Sequence, residues 1–164
     1  MNFRTFAYED ALFCYTIRKR AITELFDQEL TPTEISACVD AYALYDYVRM
    51  LKAGEFFVVE EDGVPLGFFT LKHLTRKKAE IPLIYLDPDR LGQGIGRECM
   101  LWLENWITTN WPEITHLLVD TVIPRANGGF FEAMGFTAAG RTVCHFPDLA
   151  IRATRFIREI SAHP

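Results

Sequence analysis

The sequence contains no apolar run close to the roughly 18 residues that a membrane-spanning helix requires. It contains no C-x-x-C either: its four cysteines stand at 14, 38, 99 and 144 without paired spacing. Free, mostly buried thiols in a reducing compartment are the simplest account of them. The four histidines, at 73, 116, 145 and 163, show no ligand spacing, so no metal site is expected. Basic charge is scarce, with 17 Lys and Arg against 22 Asp and Glu and a net charge of −5. That balance argues mildly against nucleic acid as a partner and mildly for a cationic substrate. The opening Met-Asn-Phe-Arg-Thr-Phe lacks a basic segment followed by an apolar one. No secretory signal is read there, and a cytoplasmic protein that engages no membrane is expected. What remains is an ordinary globular composition, 49% hydrophobic and 24% charged. The chain is long enough for one domain over 1–164 with a real core, and no repeat or linker divides it.

The informative stretch is Leu83 to Trp106, LIYLDPDRLGQGIGRECMLWLENW. An apolar run ends at Asp87-Pro88, a turn follows with Gly92, Gly94 and Gly96, and an amphipathic segment starts at once. At about 100° per residue, Ile95, Cys99, Trp102, Leu103, Trp106 and Ile107 share one face, with Leu101 misplaced. Strand, tight loop and helix in succession make a phosphate site. Glycine lets a ligand approach the backbone, and the first helical turn offers unpartnered N–H groups and partial positive charge. On the glycines alone, a purely structural joint stays open. The dinucleotide motif G-x-G-x-x-G would need glycine where Arg97 or Cys99 stands, and the P-loop would need Lys and Ser/Thr after Gly96. Neither fits.

Asp87-Pro88-Asp89-Arg90-Leu91-Gly92-Gln93-Gly94-Ile95-Gly96 resembles the acetyl-CoA loop of the GNAT superfamily of N-acetyltransferases. It shares the strand-end proline and the pattern Arg/Gln-x-x-Gly-x-Gly/Ala. The departure is Leu91 at the Arg/Gln position, with Arg90 displaced by one residue.

The remaining elements are read from local signals. Phe3–Ala7 suggests a short strand, and Tyr8-Glu9-Asp10 starts a helix reaching Phe26. Thr31-Pro32-Thr33-Glu34 starts another, with Thr31 as N-cap and Glu34 at N3. A further helical piece covers Tyr42–Leu51. These helices are rich in tyrosine and acid, which reads more readily as core aromatics and a solvated face than as an amine pocket. Glu55–Glu60 and Leu66–Leu74 flank Asp62-Gly63 as a hairpin. Ala79–Leu86 is a third strand, in which Pro82 demands a bulge or an unpaired position. His116–Thr121 is a buried strand, Pro124–Met134 a short helix ended by Gly135, and Phe136 starts a strand. Arg152–Ile160 is a last strand, with a helix as the competing reading. The order gives an α+β domain, a mixed central sheet flanked by helices.

Phe130-Phe131-Glu132-Ala133-Met134-Gly135-Phe136 is similar to a second GNAT segment, Phe-Tyr-Glu-x-x-Gly-Phe. The likeness covers about residues 55–145. It implies a GNAT-like fold and acetyl transfer from acetyl-CoA, without a metal, to a small-molecule or peptide amine, and it leaves room for a homodimer. It implies cofactor contacts from Ile84, Tyr85, Leu86, Leu91, Gly92, Gln93, Gly94, Ile95, Gly96, Arg97, Asn127 and Phe131. It implies Glu80 as base, with a surface strand glutamate as the alternative, and the backbone near Ile84 as oxyanion donor. Phe131 stands where many members have an acid tyrosine, and Pro124 where they have asparagine, with Asn127 as substitute. A non-catalytic acyl-CoA-binding or sensing module is therefore the alternative. An unrelated α+β domain with a structural glycine turn is a third reading.

Overall fold

A computed structural model describes residues 1–160; His163 of the histidine set lies outside the described residues. In chain order the elements are β1 (Asn2–Thr5), α1 (Ala11–Leu25), α2 (Pro32–Asp40), α3 (Leu44–Met50), β2 (Glu55–Glu61) and β3 (Val64–Thr75). There follow β4 (Lys78–Glu80), β5 (Ile84–Leu86), α4 (Ile95–Asn110), β6 (His116–Thr121), α5 (Pro124–Ala133), β7 (Thr137–His145) and β8 (Ala150–Glu159). No described helix is long and apolar enough to cross a membrane.

The sheet runs β1-β2-β3-β4-β6-β8-β7, with β5 also on β3. Its pairings are antiparallel except β4 with β6. The β2–β3 hairpin turns on Asp62 and Gly63, both at positive φ (52° and 79°), as the Asp-Gly signal requires. The helix α2 carries the expected box: the Thr31 hydroxyl accepts from Glu34 N–H, and Glu34 Oε2 accepts from Thr31 N–H at 2.8 Å. The run Phe56-Phe57-Val58-Val59 is buried throughout because both sheet faces are covered. Phe57 and Val59 pack toward α4 and α5, while Phe56 and Val58 pack toward α1 and α3. Leu101, out of phase in α4, is 46% exposed, and Met100 joins the buried face instead. The last segment is a strand, since β6 and β7 pair with β8 from its two sides.

The departure that positions the site is in the third expected strand, Ala79–Leu86. It divides into β4 and β5. Ile81 N–H still donates to Leu118 C=O on β6 (2.9 Å), but at Pro82, which has no N–H, the register against β3 slips by one residue, from Glu80 opposite Lys72 to Ile84 opposite Phe69. The chain then follows β3 alone: Thr70 N–H donates to Leu83 C=O (2.9 Å), and Leu83 N–H donates to the Thr70 hydroxyl (3.2 Å). Thr70 is one of few buried polar residues, and its hydroxyl serves an amide that the break would otherwise orphan.

Thr70→Val keeps the shape and leaves Leu83 N–H buried without an acceptor. Urea unfolding should show a loss of about 1–3 kcal/mol; an unchanged midpoint would mean that the hydroxyl does not hold the break.

Candidate active site

The break opens the sheet. Below it β4 and β6 are hydrogen-bonded; above it β5 stays with β3 while β6 stays with β8. The fork between these arms is a cleft of about 660 Å³, walled by residues 81–86 on one side and 119–123 on the other. Tyr85 registers with Phe68, and Asp87 N–H donates to Leu66 C=O. Alternation along an antiparallel strand then turns the N–H groups of Ile84 and Leu86 away from β3, into the fork. Ile84 and Leu86 pack toward α4, and Tyr85 packs toward α1, so the cleft has two differently built sides.

On the α4 side lies the glycine loop. Gly92 and Gly94 have φ of +76° and +84°, with open space where a Cβ would stand. Gly94 begins α4 without a side-chain cap. The first helical bond runs from Glu98 N–H to Gly94 C=O (3.1 Å), which leaves the N–H groups of Ile95, Gly96 and Arg97 without helical partners. Gly96 has another reason to be glycine, since a Cβ there would lie 3.0 Å from the Phe130 ring. The start of α5 also reaches the cleft, but it is occupied: Glu29 accepts from Arg125 and Ala126 N–H, both at 2.9 Å. The bare N-terminus of α4 is therefore the one that suits a pyrophosphate.

Side chains hold this loop in place. Arg90 donates from Nε to Gln93 Oε1 (2.6 Å) and from Nη2 to Glu61 Oε2 (2.7 Å). Arg20 of α1 binds Asp87 (3.0 Å) and Asp89 (2.8 Å). Leu91, Gly92, Gly94, Ile95, Gly96, Arg97, Asn127 and Phe131 all line the cleft, as do Ile84, Tyr85 and Leu86. Gln93 lies outside the lining and contributes through Arg90. Asn127 Nδ2 donates to the Thr121 hydroxyl (3.2 Å). Phe131 is 2% exposed and packs on the rings of Phe130, Phe136 and Phe156. It lines the cleft and belongs to the core at once.

Glu80 stands one residue below the cleft wall, with its side chain 16% exposed and Oε2 3.1 Å from Lys72 Nζ. The carboxylate in the lining is Asp120, whose two oxygens are held by Arg155 (2.8 Å each). Sequence reasoning passed over Asp120, which reads as one polar position in a buried strand. Burial pushes the Cys144 thiol up, with Asp120 and Glu80 adding to it. Burial likewise raises the Cys38 and Cys99 thiols, to about 11 and about 12. None of these is poised as a nucleophile at neutral pH. Among the described residues no group of three or more His, Cys, Asp or Glu gathers as a metal site.

The α1 side is walled by Phe26, Cys38, Tyr42, Cys144 and Phe146, with Arg18 among them. Arg18 was also missed by sequence reasoning. The available signal was its phase: it falls between Cys14 and Ile22 on the buried face of α1, where a cation is out of place.

The geometry is thus a forked mixed sheet with a bare, glycine-led helix at its mouth. Residues 19–136 match the Acetyltransferase (GNAT) family, and the chain belongs to that family. No curated protein matches it in sequence. Among solved structures it is similar to a "GCN5-Related N-acetyltransferase: Aminotransferase, Class-II" from Rhodopseudomonas palustris, at TM-score 0.83 and 21% identity, covering 96% of this chain and 94% of that one. It is similar to the paia N-acetyltransferase of Thermoplasma acidophilum, solved with coenzyme A, at 0.79 and 16%, covering 96% and 98%. The ribosomal-protein-S18-alanine N-acetyltransferase of Escherichia coli follows at 0.72 and 18%, covering 99% and 96%. These likenesses establish the GNAT-like fold.

Gly94→Val should weaken acetyl-CoA binding about tenfold or more, because a branched residue cannot hold a positive φ without strain of about 1–3 kcal/mol. Gly140→Val, at a φ of +114° outside the lining, carries comparable strain and should leave affinity alone. Equal affinity of the Gly94 variant and the native protein, by calorimetry, would place the phosphates elsewhere.

Proposed function

We propose that the protein moves an acetyl group from acetyl-CoA to a primary amine by direct attack. The supporting observation is the pair of open amide sets: the N–H groups at the start of α4 suit a pyrophosphate, and those of Ile84 and Leu86 face the fork. Bound acetyl-CoA supplies an activated acyl carbon and a thiolate leaving group. The Ile84 amide stabilises the charge that develops on the acyl oxygen. The fork holds amine and acyl carbon together, which removes much of the entropic barrier.

An alkyl amine is mostly protonated at neutral pH and must lose a proton to attack. Glu80 accepts it, directly or through water: one of its oxygens is taken by Lys72 and the other has no protein donor among the described residues. Asp120 is the second reading, favoured by its place in the lining, although Arg155 engages both its oxygens. The new C–N bond forms as the C–S bond breaks. Phe131 has no proton for the departing thiolate, but a thiol of pKa roughly 8–9 leaves well enough to take its proton from water. That missing hydroxyl is also what favours a non-catalytic acyl-CoA binder.

Glu80→Gln should lower the rate of CoA release at neutral pH by about 10²–10⁴ and leave acetyl-CoA affinity intact. Should Asp120→Asn produce that loss while Glu80→Gln does not, the base is Asp120. Tight acetyl-CoA binding with no CoA release from any amine in a panel would establish the binder.

A further inference from the structure

We propose that Arg18 anchors a carboxylate on the acceptor, so that the acceptor is an amino acid with an apolar body. The proposal rests on the acetyl-transfer reading for the word acceptor, and names its chemical class.

Arg18 is 3% exposed, and a guanidinium does not shed its charge when buried. Burying a charge is costly unless it is paired. The other arginines that bridge elements have acids: Arg4 with Asp10, Arg20 with Asp87, Arg90 with Glu61, Arg155 with Asp120 and Arg158 with Glu104. Arg18, the most buried of these, has none among the described residues. Its Nη2 donates to Cys38 C=O, and Nη1 makes a long contact with Val39 C=O (3.5 Å). Those carbonyls close the last turn of α2 and carry partial negative charge. The rings of Tyr42 and Tyr85 lie 4.8 and 5.5 Å from the guanidinium carbon, a further partial compensation. Nε and the Tyr47 hydroxyl, each buried and without another partner, lie close to one another. Holding α2 uses one N–H of each Nη group; the second N–H of each has no acceptor among the described residues.

Arg18 lines the same cleft as the acyl site, on the side away from the glycine loop, beside Leu25, Phe26 and Phe146. A ligand carboxylate there would meet a dry, pre-oriented guanidinium, the geometry in which such a pair is strongest. The acids Glu80 and Asp120 lie on β4 and β6, at the closed end of the fork, where the amine must be. An amine drawn to the carboxylates and a carboxylate drawn to Arg18 are the two charges that one amino acid carries. The net charge alone argued mildly for a cationic substrate. A polyamine would instead set a second cation against Arg18.

The test compares ligands that differ only in the anion, on the native protein with CoA present. N-acetylphenylalanine should bind about tenfold or more tighter than N-acetylphenylalaninamide by calorimetry. The Arg18 Nε–H resonance, assigned by its absence in Arg18→Lys, should shift with the acid and not with the amide. Arg18→Met, if its melting curve shows it folded, should bind both alike. Equal native affinity for the two, or binding of neither, overturns the proposal, as does acid binding with the Nε–H unmoved. No turnover is needed for these readouts. A protein that prefers the acid but releases no CoA keeps the anchor and loses the catalytic reading. One that acetylates phenethylamine as fast as phenylalanine keeps catalysis and loses the anchor.

Discussion

Everything at the site depends on one broken ladder. At Pro82, which has no N–H, the register against β3 slips by one residue, so Leu83 turns its N–H to β3 instead of β6, and beyond it each arm pairs with its outer neighbour only. The break exposes strand amides that a continuous sheet would have consumed. It also gives a ligand access between the two faces of the sheet. The Thr70 hydroxyl satisfies Leu83, so the split does not leave that amide buried and unpaired. A fold that bends its own hydrogen-bonding rules in one place, and compensates next to it, is what a functional site requires.

The helical half then fixes what the fork leaves open. Arg20 reaches from α1 to Asp87 and Asp89 at the entry of the glycine loop, and Arg90 ties that loop to Glu61 after β2. Glu29, between α1 and α2, fills the start of α5. One helix N-terminus is thereby closed by the protein's own carboxylate and the other kept bare. The distinction between a structural cap and an anion site lies in Glu29, not in the glycines.

Much of this was legible in the sequence because it is local. Asp62-Gly63, the Thr31 box, the phase of α4 and the run from Asp87 to Gly96 each announce a conformation through adjacent residues, and Pro82 announces a missing donor. What was not legible depends on which residues the fold brings together. Glu29 belongs to an acidic, aromatic half that reads as solvated surface, and its partner lies 96 residues away. Asp120 sits in a strand that reads as buried, and only the pairing of β6 with β8 supplies Arg155. Phe131 reads as a missing hydroxyl at the site, and only the fold shows that its ring lines the cleft and packs in the core at once. Arg18 was visible as a cation on an apolar stripe, but its lack of an acid is a fact of three dimensions.

The central claim is that the fork and the bare start of α4 together receive the cofactor. Backbone amide shifts on titration with CoA address it directly. The account predicts that the N–H resonances of Ile95, Gly96 and Arg97 move together with those of Ile84 and Leu86, while Arg125 and Ala126, already bonded to Glu29, move little. Shifts centred on the start of α5, or movement of the glycine loop with no response from Ile84 and Leu86, would contradict it.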